Sequence, residues 1–512
     1  MTTSDTPRRP SEVRAWQSDS PPAAPTTSSR ANKPEDTERT TKAERLYSLA
    51  RAQFDPVADP DGRLWVVPYT GAKIARPLEG RGTVASSLAE QYRAAYDTLI
   101  NTDAISAVVR ALQGEAINKP AQPVYLRAAD CSTSTGRRLT IDLGRDDGQL
   151  AVVTPGRVQV TADSPHIFYR NQTSAPLPLP AGLEDTSPAG PALTAQLSQY
   201  LNAPAPSVQL LAVWCAAALL DIERPLLWLT GQQGTGKSHT ARTLVQLLDP
   251  SRAPLRTLPT DSEDWQRAAV ASRVIAIDNL SRLSASWSDT FCRAVTGDSF
   301  VRRQRFTDGE LSVGSYRLAL ICTSINPRAA RGDLAQRLLP IELQPLEHTR
   351  SARQLTQQLE DNQPALFGTL LRFIAQIFAA MHTAPARDYE AHRLADWAAV
   401  LAAADSVTGW HTLEDYCELS ADTLADLLDS SAVGAAIAEL LEANAGRWAG
   451  SVRQLLEALE SYYPENYQHR PTDPTRLAAR IREIEPTLNQ HRITVTRQRS
   501  GQQRTIELSS QP

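Results

Sequence analysis

The residues of this chain with the clearest chemical meaning are the glycines, the lysine and the serine of one short run. Gly231, Gly236, Lys237 and Ser238 fit the spacing G-x-x-x-x-G-K-[ST] at every fixed position. In such a loop the backbone N–H groups cradle phosphates, the lysine reaches the β- and γ-phosphates, and the hydroxyl ligates Mg²⁺. Lys237 is also the only lysine after Lys119, and a compact ammonium suits this role better than a planar guanidinium. The run predicts binding of ATP with Mg²⁺.

The elements around the run must hold it rigidly if it binds phosphate. An apolar stretch, 226–230, precedes it and reads as a buried strand, and 240–248 reads as a helix. A loop between strand and helix places phosphate at the helix N-terminus, where free N–H groups and the helix dipole favour anions. The predicted nucleotide-binding residues are Gly231, Gln232, Gln233, Gly234, Thr235, Gly236, Lys237, Ser238 and His239.

A second apolar strand, 274–277, ends in Asp278 about forty residues later. A carboxylate at this place assists in holding Mg²⁺ in P-loop enzymes, so Ser238 and Asp278 are the predicted metal residues. Asn279 follows, where many ATPases of this class carry a glutamate that polarises water. Asparagine can orient water but cannot accept its proton. The sequence therefore predicts nucleotide binding more firmly than fast hydrolysis.

Two further polar residues follow a third apolar strand, 317–324. Asn326 lies just after this strand, where an amide could touch the γ-phosphate or the attacking water; the alternative is a turn-forming Asn before Pro. Arg337 follows a short predicted helix and is a candidate arginine finger for a neighbouring subunit, with Arg331 as a weaker candidate. The predicted catalytic residues are Lys237, Asp278, Asn279, Asn326 and Arg337.

Composition and patterning predict a multidomain α/β protein. Five scattered cysteines without C-x-x-C spacing argue against a zinc ribbon or a disulfide framework and favour a cytoplasmic protein. The longest apolar run, 208–220, is too short to cross a bilayer, so no membrane association is expected. Strand, P-loop, helix and strand alternate over 194–346, as in a parallel α/β sheet. The predicted divisions are a disordered tail (1–42), an α+β accessory domain (43–172), a Pro/Gly-rich linker (173–193), the P-loop core (194–346), a helical lid (347–445) and a winged helix (446–512).

Within the accessory domain, short apolar runs from 124 to 169, separated by Gly, Asp and Pro, predict a small antiparallel sheet. Within the core, 300–306 and 310–316 flank an Asp-Gly turn and predict a β-hairpin. Its arginines, Arg302, Arg303 and Arg305, would carry charge where DNA phosphates pass. The alternative is a solvated basic hairpin.

These motifs together resemble the AAA+ ATPases of helicase superfamily 3, particularly the primase-associated helicases of phages, plasmids and integrative elements. The resemblance covers about residues 208–346 and rests on the P-loop, on 277–279, on Thr296-Gly297-Asp298 and on the strand leading to Asn326. It implies a P-loop AAA+ core, a hairpin that grips DNA in a ring channel, and a homo-oligomeric ring such as a hexamer. Asn279 departs from the pattern and puts the catalytic rate in doubt.

No primase signature accompanies this resemblance. The acids Asp142, Asp146 and Asp147 lie on or after a strand but lack a metal-binding pattern, and they read as loop charges. A primase, if one is needed, is expected on another chain.

The C-terminal residues have helix, helix and hairpin signals, the order of a winged helix. Ser451 begins a capping box, and Asp473 with Pro474 begins a second helix. Arginines outnumber acids there in an otherwise acidic protein, which indicates a nucleic-acid face, although a winged helix can also bind protein. The predicted DNA contacts in this module are Arg476, Arg480, Arg497 and Arg499.

The favoured hypothesis is an ATP-hydrolysing DNA helicase or translocase that acts on a single strand or fork in replication of a mobile element. A nucleotide-switched protein that binds DNA or a partner with little turnover is the alternative, which Asn279 favours. A transcription regulator with a degenerate ATPase is a third class. DNA-stimulated hydrolysis separates the first two.

Overall fold

The structure, a computed structural model, describes residues 41–78, 84–134, 136–281, 283–303, 311–324, 332–345, 351–383, 392–430, 432–463, 470–500 and 503–510. The side chains of Arg302, Arg303 and Arg499 are outside this description, as are Arg305, Asn326 and Arg331 altogether. Most of the predicted disordered tail, 1–40, also lies outside it. Thr41 and Lys42 belong to the first helix, because Thr41 and Glu44 form a capping box.

The N-terminal region combines helices with a mixed sheet. Its helices are α1 (Lys42–Gln53), α2 (Val84–Tyr96) and α3 (Thr102–Ile117). Its strands are β1 (Phe54–Ala58), β2 (Leu64–Pro68), β3 (Ile74–Pro77), β4 (Val124–Leu126), β5 (Ala128–Thr133), β6 (Gly136–Asp142), β7 (Leu150–Thr154), β8 (Arg157–Thr161) and β9 (Ile167–Tyr169). Leu46, Leu88 and Leu112, one from each helix, are fully buried in a shared core with Val66 of β2.

The single antiparallel sheet predicted over 124–169 is wrong in part. The middle strands do form an antiparallel sheet, β5-β6-β7-β8, but the first and last do not join it. β4 and β9 pair in parallel and complete a five-stranded sheet in the order β1-β2-β3-β9-β4. Apolar strands at similar spacing carry no signal of which partner they choose, because pairing depends on packing against distant elements.

The Pro/Gly-rich segment after β9 lies along the protein surface and is tied to it. The N–H of Ala175 donates to Pro250 O, and that of Leu177 donates to Leu143 O. The Leu177 side chain is buried. The segment leads into α4 (Ala189–Leu197) and α5 (Ala205–Ala218). It therefore packs against residues before and after it in the chain.

The central part of the chain is built on a parallel sheet. Its strands are β10 (Leu226–Thr230), β11 (Val274–Ile277), β14 (Ala319–Thr323) and β15 (Leu338–Glu342), in the order β11-β14-β10-β15. Alternate residues face two cores: Leu227 and Leu229 of β10 face one, and Leu226 and Trp228 face the other. Burial on both faces explains the continuous apolar runs in these strands.

Helices and a hairpin connect the strands of the parallel sheet. The helices are α6 (Lys237–Leu248), α7 (Ser262–Val270) and α8 (Ala285–Thr296). β12 (Asp298–Arg303) and β13 (Leu311–Tyr316) pair antiparallel, with Asp298 opposite Tyr316, which confirms the predicted hairpin strands. The predicted Asp-Gly turn lies outside the described residues. A 3-10 helix, Gly332–Arg337, leads into β15.

Four helices follow the sheet, as the Ala- and Leu-rich composition predicts. They are α9 (Ala352–Thr383), α10 (Ala395–Thr408), α11 (Thr412–Ser430) and α12 (Ala432–Ala443). α9 is long and apolar enough to cross a membrane by length and composition, but 67% of the relevant window is buried inside the protein. Its residues Phe367 and Leu371 share one core with α4, α5 and the four-stranded sheet β5–β8. α9 therefore has the burial of a core helix.

The C-terminal part has its own core. Its remaining elements are β16 (Arg447–Ser451), α13 (Val452–Leu459), α14 (Pro474–Gln490), β17 (Ile493–Ser500) and β18 (Gln503–Ser510). The strand order is β16-β18-β17, so the sheet has three strands where the sequence predicts two. Val433 and Ile437 of α12 are buried with Leu455 of α13 and Leu477 of α14. α12 thus packs with the C-terminal elements, although the predicted boundary lies after it.

Candidate functional site

The glycine loop lies between β10 and α6, where the sequence predicts it. Gly231 has φ +137° and Gly234 and Gly236 have φ +86°, conformations that residues with a Cβ adopt only with strain. A Cβ at Gly231 would lie 2.5 Å from Leu343 O, so this position needs glycine for space as well. Gly236 is the N-cap of α6. The loop can therefore bring backbone N–H groups close to an anion at the start of a helix.

Lys237 folds over the loop that precedes it. Its Nζ donates to Gly231 O and Gln232 O, both at 2.8 Å. Burial lowers the pKa of Lys237, and the nearby Asp278 carboxylate acts in the opposite direction. Within the described residues, the hydrogen-bond partners of the ammonium are two neutral carbonyls, which a phosphate could replace as a stronger charged partner.

Ser238, Asp278 and Thr323 meet at the carboxyl edge of the parallel sheet. Ser238 Oγ donates to Asp278 Oδ1 at 2.9 Å, and Thr323 Oγ1 donates to the same oxygen at 2.6 Å. A hydroxyl and a carboxylate facing a cavity are oxygen donors of the kind that Mg²⁺ binds together with substrate phosphates. Among the described residues, no group of three His, Cys, Asp or Glu side chains could hold a metal. Ser238 and Asp278 therefore fit a cation shared with a nucleotide better than an all-protein metal cage.

Asn279 has an unusual backbone. Its φ is +59°, in the left-handed region, where asparagine is tolerated better than most residues with a Cβ. Its N–H donates to Thr323 Oγ1 at 2.8 Å. The residue is exposed and lines the cavity described next. Its amide could orient a water molecule there.

A cavity of about 630 Å³ opens over the loop. Its lining combines the loop with the ends of two strands: Gln233, Gly234, Gly236, Lys237, Ser238, His239, Asp278, Asn279 and Thr323. Asp278 is the only carboxylate in this described lining. Burial, with a smaller contribution from Arg242, lowers the pKa of His239, so its imidazole is neutral at pH 7. A neutral imidazole adds no positive charge to the cavity.

Thr323 is the residue of this cluster that the sequence interpretation missed. Thr323 is the last residue of β14, and Asp278 directly follows the last residue of β11. Both strand ends lie at the same edge of the sheet. A polar residue closing an apolar strand was the available signal. The interpretation placed the polar residue of this strand at Asn326, which lies outside the described residues.

Arg337 is not in the cavity lining. Its side chain lies against α8: Nη1 donates to Cys292 O and to Thr296 Oγ1, both at 3.5 Å. Nη2 is 3.2 Å from Asp333 Oδ2, and 18% of the side chain is exposed. Within one subunit Arg337 therefore contacts its own fold, and its role toward a neighbour stays a prediction.

Arg476, Arg480 and Arg497, the predicted DNA-contacting arginines whose side chains the structure describes, are not in the cavity lining. On α14, the side chain of Arg476 is 73% exposed and is 3.4 Å from Asp473. On β17, Arg497 makes two hydrogen bonds to Glu485, at 2.7 and 2.8 Å. Arg480 lies on α14 one turn after Arg476. The DNA role of all these residues stays a prediction.

A glycine loop, a carboxylate and a hydroxyl thus meet at the edge of a parallel sheet in this α/β protein. Comparison of the chain with protein-family models indicates a replication protein. A family model of the actinomycete integrative conjugative element replication protein, AICE RepA, matches residues 195–429, and a model of the AICE RepA C-terminal domain matches 433–512. Together they cover more than half of the chain. The chain belongs to the AICE RepA replication protein family.

Two solved structures are matched over most of both chains at low sequence identity. The SCCmec type IV Cch active helicase is 12% identical, with 89% of this chain and 93% of that chain covered and a TM-score of 0.44. The apo C-terminal region of NrS-1 is 12% identical, with 92% and 99% covered and a TM-score of 0.39. No curated protein sequence matches this chain.

Proposed function

We propose that this protein is an ATP-dependent DNA helicase or translocase of the superfamily 3 type that acts in replication of an integrative element. The observation that carries the proposal is the meeting of Ser238, Asp278 and Thr323 beside the glycine loop. Two strand ends and the first turn of α6 contribute to this cluster. Membership of a replication protein family supports the same conclusion.

The loop residues bind and orient the triphosphate. N–H groups at the start of α6 face the phosphates, and Lys237 exchanges its carbonyl partners for phosphate oxygens. Ser238 and Asp278 hold Mg²⁺, which when bound neutralises charge on the transferred phosphoryl group. Asn279 orients water without taking its proton, so positioning and charge supply the catalysis and turnover is slow.

The hairpin is well placed to respond to the nucleotide. α8 follows the Asn279 loop and ends at Thr296, directly before β12, and β13 leads through Arg317 into β14 and Thr323. One end of the hairpin thus connects to α8, which follows the Asn279 loop, and the other end connects to β14, which ends in the nucleotide site at Thr323. Arg317 donates to Thr296 O at 3.1 Å across the hairpin base. A shift of Asn279 relative to Thr323 would therefore tilt the hairpin and any DNA bound to its arginines.

The remaining assignments belong to the same proposal. The parallel sheet with its loop is an AAA+ core, α9–α11 form a helical lid, and α12 to β18 form a winged helix. The order helix, strand, helix, helix, hairpin supports the last assignment. Subunits assemble into a ring in the cytoplasm, and Arg337 of one subunit leaves Asp333 to reach the nucleotide of the next. The DNA partner is a single strand or fork, and a primase comes from another chain.

ATP hydrolysis by the wild type and by Lys237→Ala, with and without single-stranded DNA, tests the proposal. We expect slow hydrolysis by the wild type, stimulated by single-stranded DNA, with unwinding of a forked duplex. We expect neither ATP binding nor hydrolysis by Lys237→Ala. Lys119→Ala is the matched control, because Lys119 pairs with Asp55 far from the loop. Undiminished ATP affinity in Lys237→Ala would refute the site.

Asn279 favours a second candidate function, an ATP-switched DNA- or partner-binding protein. Asp278 is the only carboxylate in the described lining of the cavity, so that lining offers no second carboxylate that could serve as a general base beside Asn279. Such a switch would bind DNA in an ATP-dependent way with almost no turnover. The same assays, with a mass measurement in an ATP analogue, separate it from a motor.

A further inference from the structure

The Thr323 hydroxyl makes hydrogen bonds to two neighbours. It donates to Asp278 Oδ1 at 2.6 Å and accepts the N–H of Asn279 at 2.8 Å. The residue is 1% exposed. A hydroxyl has one proton, so donation to the carboxylate leaves its lone pairs for the backbone N–H. The two contacts fix one orientation of the hydroxyl.

We propose that Thr323 is a positioning residue that holds Asp278 and the Asn279 backbone in the geometry needed for the metal–nucleotide complex. The inference rests on the proposed ATP-binding function and adds to it the residue that orders the Mg²⁺ side of the site. Thr323 acts through Asp278 and Asn279, so its effect falls on metal-dependent binding.

Asp278 depends on Thr323 because its other side-chain partner, Ser238, is itself a predicted metal residue. Asp278 Oδ1 accepts from both Ser238 and Thr323. A cation that takes a lone pair of the Ser238 oxygen leaves the hydroxyl proton in place but turns this hydroxyl toward the metal, whereas the Thr323 hydroxyl can keep its position. The Asp278 N–H donates to Arg256 O, which fixes its backbone and leaves the carboxylate free to rotate. Thr323 then orients the carboxylate.

Asn279 depends on the same hydroxyl. Its left-handed backbone is a conformation that costs free energy and persists only where neighbours enforce it. The N–H of Leu280 donates to Thr323 O at 2.8 Å, and Ser324 Oγ donates to Leu280 O at 2.7 Å. Residues 323 and 324 therefore join the Asn279–Leu280 segment to the end of β14. The Thr323 hydroxyl is the side-chain part of this junction.

Thr323→Val tests the proposal, because valine keeps the shape and removes the hydroxyl. Binding of a fluorescent ATP analogue is titrated with Mg²⁺ from a baseline in EDTA. We expect Thr323→Val to need about 10- to 100-fold more Mg²⁺ for half-maximal tight binding, the range for lost outer partners of metal ligands. We expect unchanged affinity in EDTA. Thr323→Ser, the matched control, restores the hydroxyl and should behave as the wild type.

Hydrogen exchange of the Asn279 amide gives a readout that needs no bound nucleotide. We expect faster exchange in Thr323→Val and in Thr323→Ala, a smaller side chain that cannot clash, and wild-type exchange in Thr323→Ser. Thermal melting identifies a variant that fails to fold. Unchanged Mg²⁺ dependence together with unchanged exchange overturns the inference, and so does a Thr323→Ser protein as defective as Thr323→Val. Lack of Mg²⁺-dependent binding by the wild type would instead contradict the proposed function, while the exchange result still decides on Thr323.

Discussion

Ser238 and Asp278, forty positions apart in the sequence, are joined by a hydrogen bond of 2.9 Å between Oγ and Oδ1. Ser238 is the second residue of α6, which follows β10, and Asp278 follows β11. The strands β10 and β11 lie on opposite sides of β14 in the sheet order. The contact therefore exists only because the parallel strands assemble correctly. It brings together the two oxygens that the sequence predicts for Mg²⁺.

The first prediction concerns this pair. Ser238→Ala and Asp278→Asn each weaken ATP binding in Mg²⁺, because the first removes a predicted oxygen ligand and the second removes the negative charge of the other predicted ligand. The double variant should lose less than the sum of the two, with an interaction energy of about 0.5–3 kcal/mol. Calorimetric titration in Mg²⁺ and in EDTA measures this. Strictly additive losses would show that the two side chains do not act on one cation.

Gly231 should be the least replaceable glycine of the loop. Gly231→Ala combines a positive φ with a Cβ 2.5 Å from Leu343 O, and crowding of this kind costs about 1–3 kcal/mol. Gly234→Ala is the matched control, since its φ is also positive but nothing lies within 4 Å of a Cβ. In denaturant unfolding, Gly231→Ala should therefore show a larger loss of unfolding free energy than Gly234→Ala. Equal losses of unfolding free energy would mean that the positive φ, and not the close contact with Leu343 O, sets the cost of alanine.

The loop and the hairpin strands could be predicted from sequence because their signals are local. Gly231 to Ser238 fit a fixed spacing, and the two runs at 300–316 flank an Asp-Gly turn. The contacts of Thr323 and the left-handed backbone of Asn279 could not be predicted, since both depend on which strands become neighbours. The same holds for β4 and β9, whose short apolar runs pair with each other across forty intervening residues. Long-range pairing is set by packing, which spacing does not encode.

His239 should make stability depend on pH. Burial lowers its pKa in the folded protein below the ordinary 6.5, so the unfolded chain takes up a proton more readily. Its contribution is therefore fully present above the unfolded pKa and is lost as pH falls from about 6.5 toward the folded pKa. Urea unfolding at pH 7.5 and 6.0 should show a larger loss for the wild type than for His239→Gln. Burial also lowers the pKa of His166, but this residue is present in both proteins, so its contribution cancels in the comparison.

Arg337 should act on the neighbouring subunit. Arg337→Ala subunits keep the P-loop lysine but lack the arginine finger, and Lys237→Ala subunits have the opposite defect. Each variant alone should therefore be inactive, with a loss of ATPase activity of about 10³- to 10⁵-fold for a missing finger. Random mixing in equal amounts should restore activity at about a quarter of the interfaces of a symmetric ring. Arg293→Ala, an exposed arginine on the adjacent α8, is the control. Mixtures without regained ATPase would place Arg337 in a structural role against α8.

The basic C-terminal surface should bind DNA unevenly. Arg476 is 73% exposed, whereas Glu485 holds Arg497 through two hydrogen bonds. Arg476→Ala should therefore lower DNA affinity and reduce the slope of log affinity against log salt by about one. Arg497→Ala should change the slope less, because the variant also frees a carboxylate. Glu485→Gln should strengthen DNA binding by releasing Arg497. Fluorescence anisotropy at several salt concentrations measures all three, and a Glu485→Gln protein with weakened binding would contradict a DNA role for Arg497.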